Sequence, residues 1–245
     1  GNKKTIDISA KLEKNLKIFK DIEPDGDKKL KEYLQKSEYF YDIAMSKFIY
    51  KSYNKWTDLL DWQLVKQGSK LDLFKNMDSY INKYFQSDEA KKILEYTIVF
   101  LGGNPKNTRA LYNIMSHVDF NLGVWYPMGG IGEVVNGIVK LGQELGVNFH
   151  FNHNVKNIKV TDKKASQVLT DQTTFDADIV IANADYPFVE TQLLDHQYQT
   201  YPDTYWQNKV IAPSAFLVYL GINKRIQNIK HHTLVLANDW QDHFE

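Results

Sequence analysis

The apolar residues of this chain change period near residue 122, and no uniform architecture tolerates that change. Before it they recur three and four apart: Leu30, Tyr33, Leu34, Tyr41, Met45, Phe48 and Ile49 mark one side of a helix. After it, one more stretch of helical spacing gives way to short alternating or continuous apolar runs, the pattern of strands. The expected fold class is α/β in the mixed α+β sense, with a helical first part and a sheet-containing second. At 245 residues, 43% hydrophobic and 24% charged, the chain is long enough to bury a sizeable core in one or two domains.

In the first part, Asp25-Gly26-Asp27 reads as a turn before the longest helix. Leu59, Leu60, Leu64 and Val65 suggest another helix, as do Met77, Tyr80, Ile81, Tyr84 and Phe85. Ser87-Asp88 opens a helix reaching Phe100, Gly102-Gly103-Asn104-Pro105 breaks the chain, and Thr108 to Val118 reads as one helix more. Residues 1–75 hold 16 Lys against 12 Asp and Glu, while the remainder holds 14 Lys and Arg against 18 acids. This Lys-rich, aromatic-rich part admits two readings. Its rings fill a helical core, or they face lipid while lysine stems reach the headgroups.

In the second part, Gly129-Gly130 opens a helix over about Ile131–Leu145, with Val134, Val135, Ile138, Leu141 and Leu145 on one face and Gly146 as its stop. Val147–Phe151 and Val155–Val160 read as strands, and 167–170 with 173–175 as a hairpin. The continuous run 178–182 reads as a strand covered on both faces. Ala215–Gly221 and Thr233–Ala237 complete the expected strands.

Composition removes several chemistries. The chain has no Cys, so disulfides, thiolate metal sites and cysteine nucleophiles are excluded. Its zero net charge gives no electrostatic case for nucleic acid. In a continuous strand His150 and His153 would point to opposite faces, as would His231 and His232, so no metal site is expected. Ser214 lacks the Gly-x-Ser-x-Gly setting of a nucleophile elbow. Asp119 and Asp185 sit near turns, where a helix-start role explains them as well as a functional one. Gly129-Gly130-Ile131-Gly132 precedes a helix, whose free N–H groups attract anions, but Val135 stands where a dinucleotide fingerprint needs its third glycine. A tight turn explains it equally. No run is long and apolar enough to span a bilayer, since Ile211–Ile222 is short and broken by Pro213 and Ser214.

Four segments in order carry a resemblance: Trp125-Tyr126-Pro127-Met128-Gly129-Gly130-Ile131-Gly132, Asn152–Ile158, Val180-Ile181-Ala182-Asn183-Ala184-Asp185, and Pro213–Gly221 followed by His231-His232-Thr233. Together they resemble the carotenoid desaturases, or phytoene dehydrogenases, of the flavin-containing amine oxidase superfamily. The family's N-terminal Gly-x-Gly-x-x-Gly and C-terminal flavin segment have no counterpart here. With a first residue Gly1 and an end soon after an expected strand, the chain is expected to be the central part of a longer protein.

The resemblance implies an FAD-dependent oxidoreductase acting on a long apolar polyene by hydride transfer to flavin, with FAD held by the longer protein and not by this stretch alone. It implies a helical substrate or membrane-facing region over 1–122, a portion of the FAD-binding domain over 123–185, and the start of a substrate-domain sheet over 186–245. Val155, Asn183 and Ala184 are implied to lie against the cofactor, and Tyr126, Pro127, Gly129 and Gly130 to wall the substrate side. No residue is assigned a catalytic role. Such an enzyme is expected in the cytoplasm, peripheral on a membrane surface, contacting lipid through Lys28–Trp56 with Tyr39, Phe40, Tyr50 and Trp56 as anchors. The alternatives are another superfamily reaction, by a saturase or oxidase, and a non-catalytic lipid-binding module.

Overall fold

A computed structural model describes residues 4–52, 54–55, 75–209, 216–227 and 229–236. The helix expected around Leu59–Val65 lies outside them, as do Trp56, Ser214 and the Lys47 and Phe48 side chains. The chain divides into two compact units, one of residues 1–125 with 212–245 and one of residues 126–211.

The helical unit opens with α1 (Leu12–Ile22) and α2 (Gly26–Ile43), joined by a turn in which Asp25 takes a left-handed conformation. A Cβ on Gly26 would lie 2.0 Å from the Phe19 carbonyl oxygen, so only glycine lets the two helices pack this closely. A wider helical turn, Ala44–Ile49, continues α2. Two short polar caps start the next helices, the one at Ser87 as its sequence predicts. Asn76 accepts from the Ser79 N–H at α3 (Met77–Ile81), and Ser87 from the Ala90 N–H at α4 (Asp88–Phe100). The stretch expected as one helix from Thr108 is a composite: a tight turn over Ala110–Asn113, α5 (Ile114–His117) and a wide turn over Val118–Leu122.

Several aromatics of this unit form its core. Phe19, Tyr33, Tyr80 and Phe85 are fully buried, with Phe19 and Phe85 edge to face at 5.6 Å. Phe40, expected as a lipid anchor, is buried in the same core, because its position on α2 falls on the Leu30–Tyr33–Leu34 face. Tyr39 and Tyr50 stay exposed.

Glu23 fastens the α1–α2 turn to the start of α4. Its buried carboxylate accepts the Gln86 and Ser87 N–H groups at 3.0 and 2.8 Å and pairs with the Lys29 ammonium. Burial pushes this carboxyl up. The Lys29 ammonium and the two amides outweigh burial and hold it below the usual carboxylate range.

The second unit contains α6 (Gly132–Glu144) and a three-stranded antiparallel sheet of β1 (Val155–Thr161), β2 (Lys164–Thr170) and β3 (Thr174–Asp176), in the order β1-β2-β3. Gly146 ends α6 as predicted: its N–H reaches the Gln143 carbonyl and the Val147 N–H the Gly142 carbonyl, the double bond of a glycine-terminated helix. Thr161 faces Lys164 across a two-residue turn, and Asp162 and Lys163 both take positive φ, the conformation that matches strand twist. After the sheet come α7 (Tyr186–Phe188), a wide turn over Val189–Leu193, and α8 (Asp203–Gln207). A small core of Ile158, Val189 and Leu193 joins β1 to that turn.

Four expected strands are not strands. Residues 147–151, 178–182, 216–221 and 233–236 join no ladder among the described residues. A strand exists only where a neighbour takes its N–H and C=O groups, which an apolar pattern does not itself supply.

Glu23→Gln should lower the thermal stability of the helical unit by about 2 kcal/mol at neutral pH, the scale of hydrogen bonds to a charged group. Because the folded carboxyl titrates lower than the unfolded one, its contribution is complete above the unfolded value and is lost as pH falls through the folded value. The gap between parent and variant should therefore close in acid, as followed by the helical circular-dichroism signal across a pH series. A gap independent of pH would contradict this role.

Candidate functional site

The residues singled out for a flavin and its substrate all fall in the second unit. The Tyr126–Gly130 turn is built locally. The Gly130 N–H donates to the Pro127 carbonyl at 3.0 Å, and Gly129 and Gly130 take φ of 87° and 100°. The turn then enters α6 through a Glu133 N–H to Gly130 carbonyl bond. Tyr126 and Met128 are exposed, so the turn offers an open, largely apolar edge.

Glu133 stands in the first turn of α6, with its side chain so close to Gly129 that a Cβ there would lie 2.9 Å from Glu133 Cγ. A carboxylate in this first turn is favourable for the helix. The glycine cluster forms a tight turn into α6.

Val155 opens β1 opposite Thr170, and the register slips between Val155 and Asn157. Its side chain packs on the Ile158–Val189–Leu193 core, and so does Val180. Val155 and the run that ends at Asn183-Ala184 therefore share one core. Asn183 and Ala184 are exposed in the loop before Asp185, which precedes α7 and whose carbonyl accepts the Val189 N–H at 2.9 Å. Asp185 thus has a helix-start position, without a side-chain cap bond. Asp119 is part-buried in the other unit, where burial raises its carboxyl above the usual range.

The histidines depart from expectation. His150 and His153 lie on the same side, with ring centroids 5.6 Å apart and both against Phe175, because Asn152 at φ 60° turns the chain between them. His231 and His232 also meet, at 2.9 Å between their Nδ1 atoms. Among the described residues no group of three or more His, Cys, Asp or Glu could hold a metal.

Buried polar side chains were the part least visible in the sequence. Glu190 repeats the device of Glu23, its carboxylate accepting the Thr200 and Tyr201 N–H groups at 3.1 and 3.3 Å. Burial pushes that carboxyl up, while the Thr200 and Tyr201 donors and the Tyr186 hydroxyl draw it below the ordinary range. In the helical unit the Tyr33 hydroxyl meets Ser116 at 3.0 Å, and His117 lies tilted against Tyr41 and meets Asn121. Tyr80 Oη and both amide atoms of Asn113 are buried without a partner among the described residues. One signal for this interior was present: Asn113 and His117 occupy the same helical face as Ala110 and Ile114.

A sequence profile described as flavin containing amine oxidoreductase matches residues 7–243. The chain belongs to that family. It is 41% identical over 241 residues to a carotenoid 3,4-desaturase of Haloarcula japonica, covering 98% of this chain and 49% of that protein. A 4,4'-diapophytoene desaturase (4,4'-diaponeurosporene-forming) of Staphylococcus haemolyticus is 25% identical over all of the chain and half of its own length. A phytoene desaturase (lycopene-forming) of Pseudescherichia vulneris is 29% identical over 71% of the chain and 36% of its own length. The chain thus spans about half the length of the first two. No helix among the described residues is long and apolar enough to cross a membrane.

The glycine turn is directly testable. Gly130→Val places a β-branched side chain at φ 100° and should cost about 2 kcal/mol of stability in the second unit. Gly132→Ala, two residues on, meets open space and should leave stability unchanged or slightly raised. Paired thermal melts check the contrast, and equal effects would show that the positive φ is not what demands glycine.

Proposed function

We propose that this chain is the central part of an FAD-dependent carotenoid desaturase. The observation that carries the reading is the 41% identity to a carotenoid 3,4-desaturase across nearly the whole chain. Family membership favours FAD as the cofactor. When bound, FAD would accept the hydride from one carbon while a proton leaves the neighbouring carbon, so that the single bond between them becomes double.

The residues fit part of such a group. Val155 brings a strand edge, Asn183 and Ala184 an exposed loop, and Tyr126, Pro127, Gly129 and Gly130 a turn with little side-chain bulk at its tip. Backbone of this kind lies flat against a ring system and excludes water from one side. We assign Val155, Asn183 and Ala184 to the cofactor side and the Tyr126–Gly130 turn to the substrate side. The sequence has no Gly-x-Gly-x-x-Gly to hold a pyrophosphate, Val135 standing in place of its third glycine after Gly130 and Gly132. The chain alone therefore should not retain FAD. By the same reading, residues 1–122 form the substrate-facing or membrane-facing region, 123–185 a portion of the FAD-binding domain, and 186–245 the beginning of the substrate-domain sheet.

The decisive experiment replaces the matching half of the Haloarcula japonica desaturase by residues 1–245. The hybrid should carry bound flavin, seen by its visible absorbance, and should add double bonds to that enzyme's carotenoid substrate. A folded hybrid without flavin refutes the cofactor assignment. A flavin-bearing hybrid that leaves the carotenoid unchanged refutes the substrate assignment and returns the saturase or oxidase alternative.

A carotenoid is too apolar to travel through water, each CH₂ favouring an apolar phase by about 0.8 kcal/mol. We therefore place the enzyme on a membrane surface, with the region from Lys28 onward as the contact. Exposed Ile49 and Tyr50 favour this, whereas Phe40 is withdrawn into the core. The chain should float with anionic vesicles at low salt and less at high salt, because the attraction to headgroups is screened. Tyr50→Ser should weaken flotation without changing the helical signal. A chain that stays below the vesicles at low salt refutes the membrane assignment.

A further inference from the structure

A continuous strand would point His150 and His153 to opposite faces, which rules out a shared ligand. The chain does not run that way. Asn152 takes φ 60°, and this left-handed step folds the two side chains onto one side. Their rings meet edge to face with centroids 5.6 Å apart, and both rest on Phe175, at 4.7 and 5.7 Å. His150 is exposed and His153 half-buried.

The ring nitrogens are set to bind. His153 Nδ1 lies 2.7 Å from the Phe151 carbonyl oxygen. A carbonyl only accepts, so Nδ1 carries the hydrogen and the neutral ring keeps its lone pair on Nε2. A bond of this kind on the far nitrogen is what orients a metal-ligating histidine. Neither nitrogen of His150 has a hydrogen-bond partner among the described residues. With Zn–N near 2.0–2.1 Å, two imidazoles on one tetrahedral ion hold their centroids about 5 Å apart. The observed 5.6 Å requires a closure of only about half an ångström.

The segment that carries the pair is already held from its other side. The Asn154 N–H donates to the Asp171 carboxylate at 3.1 Å, and the Asn154 carbonyl accepts the Asp171 N–H at 3.0 Å. The Gln172 amide donates to the Asn152 carbonyl at 2.6 Å. Such pinning reduces the ordering that binding must otherwise impose. His231 and His232 differ in this respect. Their Nδ1 atoms face each other at 2.9 Å, so one donates to the other and a lone pair is taken.

We propose that His150 and His153 form an open site for a divalent transition-metal ion of the zinc class, held by His153 Nε2 and one nitrogen of His150. Imidazole suits Zn²⁺, Ni²⁺ and Cu²⁺, whereas Mg²⁺ and Ca²⁺ take oxygen ligands. No third protein ligand stands beside the pair among the described residues, so water completes the coordination. The bound ion clasps the turn at Asn152 that leads into β1, and it stabilises the second unit because it binds the folded state. The site does not depend on the flavin or carotenoid assignment.

The test titrates the untagged 245-residue chain with zinc chloride by calorimetry and compares its melting with zinc and with chelator. The parent should bind one ion in this pair and melt higher with zinc. His150→Gln and His153→Gln should each weaken that binding at least tenfold and remove the zinc-dependent rise, while melting like the parent in chelator. A chain carrying both His231→Gln and His232→Gln should bind as the parent does, and magnesium should not compete. Four results overturn the proposal: a folded parent that takes up no zinc, parent-like affinity in His150→Gln or His153→Gln, loss of binding in the His231, His232 variant, or displacement by magnesium at equal concentration. Zinc uptake without fixed stoichiometry or effect on melting also overturns it and marks an adventitious ion only.

Discussion

A buried carboxylate that accepts two successive amide N–H groups recurs in both units, and the packing around it depends on those bonds. Glu23 receives Gln86 and Ser87 where α4 begins, and Glu190 receives Thr200 and Tyr201 where the chain leaves its wide turn. Each brings together segments that the hydrophobic effect alone would leave free to slide, since apolar burial has no direction. A carboxylate with fixed donors has one geometry. In the helical unit that geometry sets how α1 and α2 meet α4, and the Gly26–Phe19 approach then fixes the distance between the first two helices. Asn15 adds a third clasp, its amide bonding both the N–H and the carbonyl of Ser9.

The same requirement, that backbone polar groups find partners, separates the finished from the unfinished parts of the molecule. β1, β2 and β3 follow one another with short turns, so each finds its neighbour at once. The runs 147–151 and 179–182 have strand sequences without strand neighbours. Their exposed isoleucines and Phe151, like the Val134, Ile138 and Leu141 face of α6, are apolar surface left open among the described residues. Val155 and Asn183-Ala184, proposed for the cofactor side, and the Tyr126–Gly130 turn, proposed for the substrate side, belong to this same unit.

The chain belongs to the flavin containing amine oxidoreductase family, and under the proposed reading FAD would carry the redox chemistry while the protein supplies orientation and a dry surface. The helical unit contributes a core of aromatics around a polar interior, with Tyr33, Ser116 and Asn113 fully buried.

Local sequence was sufficient for features whose causes are local. Ser87 as a cap, Gly146 as a stop, the helix after Gly129-Gly130 and the hairpin strands were legible because each depends on a few neighbouring residues. The resemblance of four ordered segments likewise anticipated the family. Tertiary structure decided what depends on distant partners. It turned Phe40 inward, set His150 and His153 side by side, and left four strand-like runs without ladder partners among the described residues. An amphipathic pattern states which side chains avoid water, but hydrogen-bond partners and close approaches exist only once remote segments meet. The sequence by itself therefore determined the helices, their stops and the kinship of the chain, and only the tertiary structure decided which apolar faces are satisfied and which still await a neighbour.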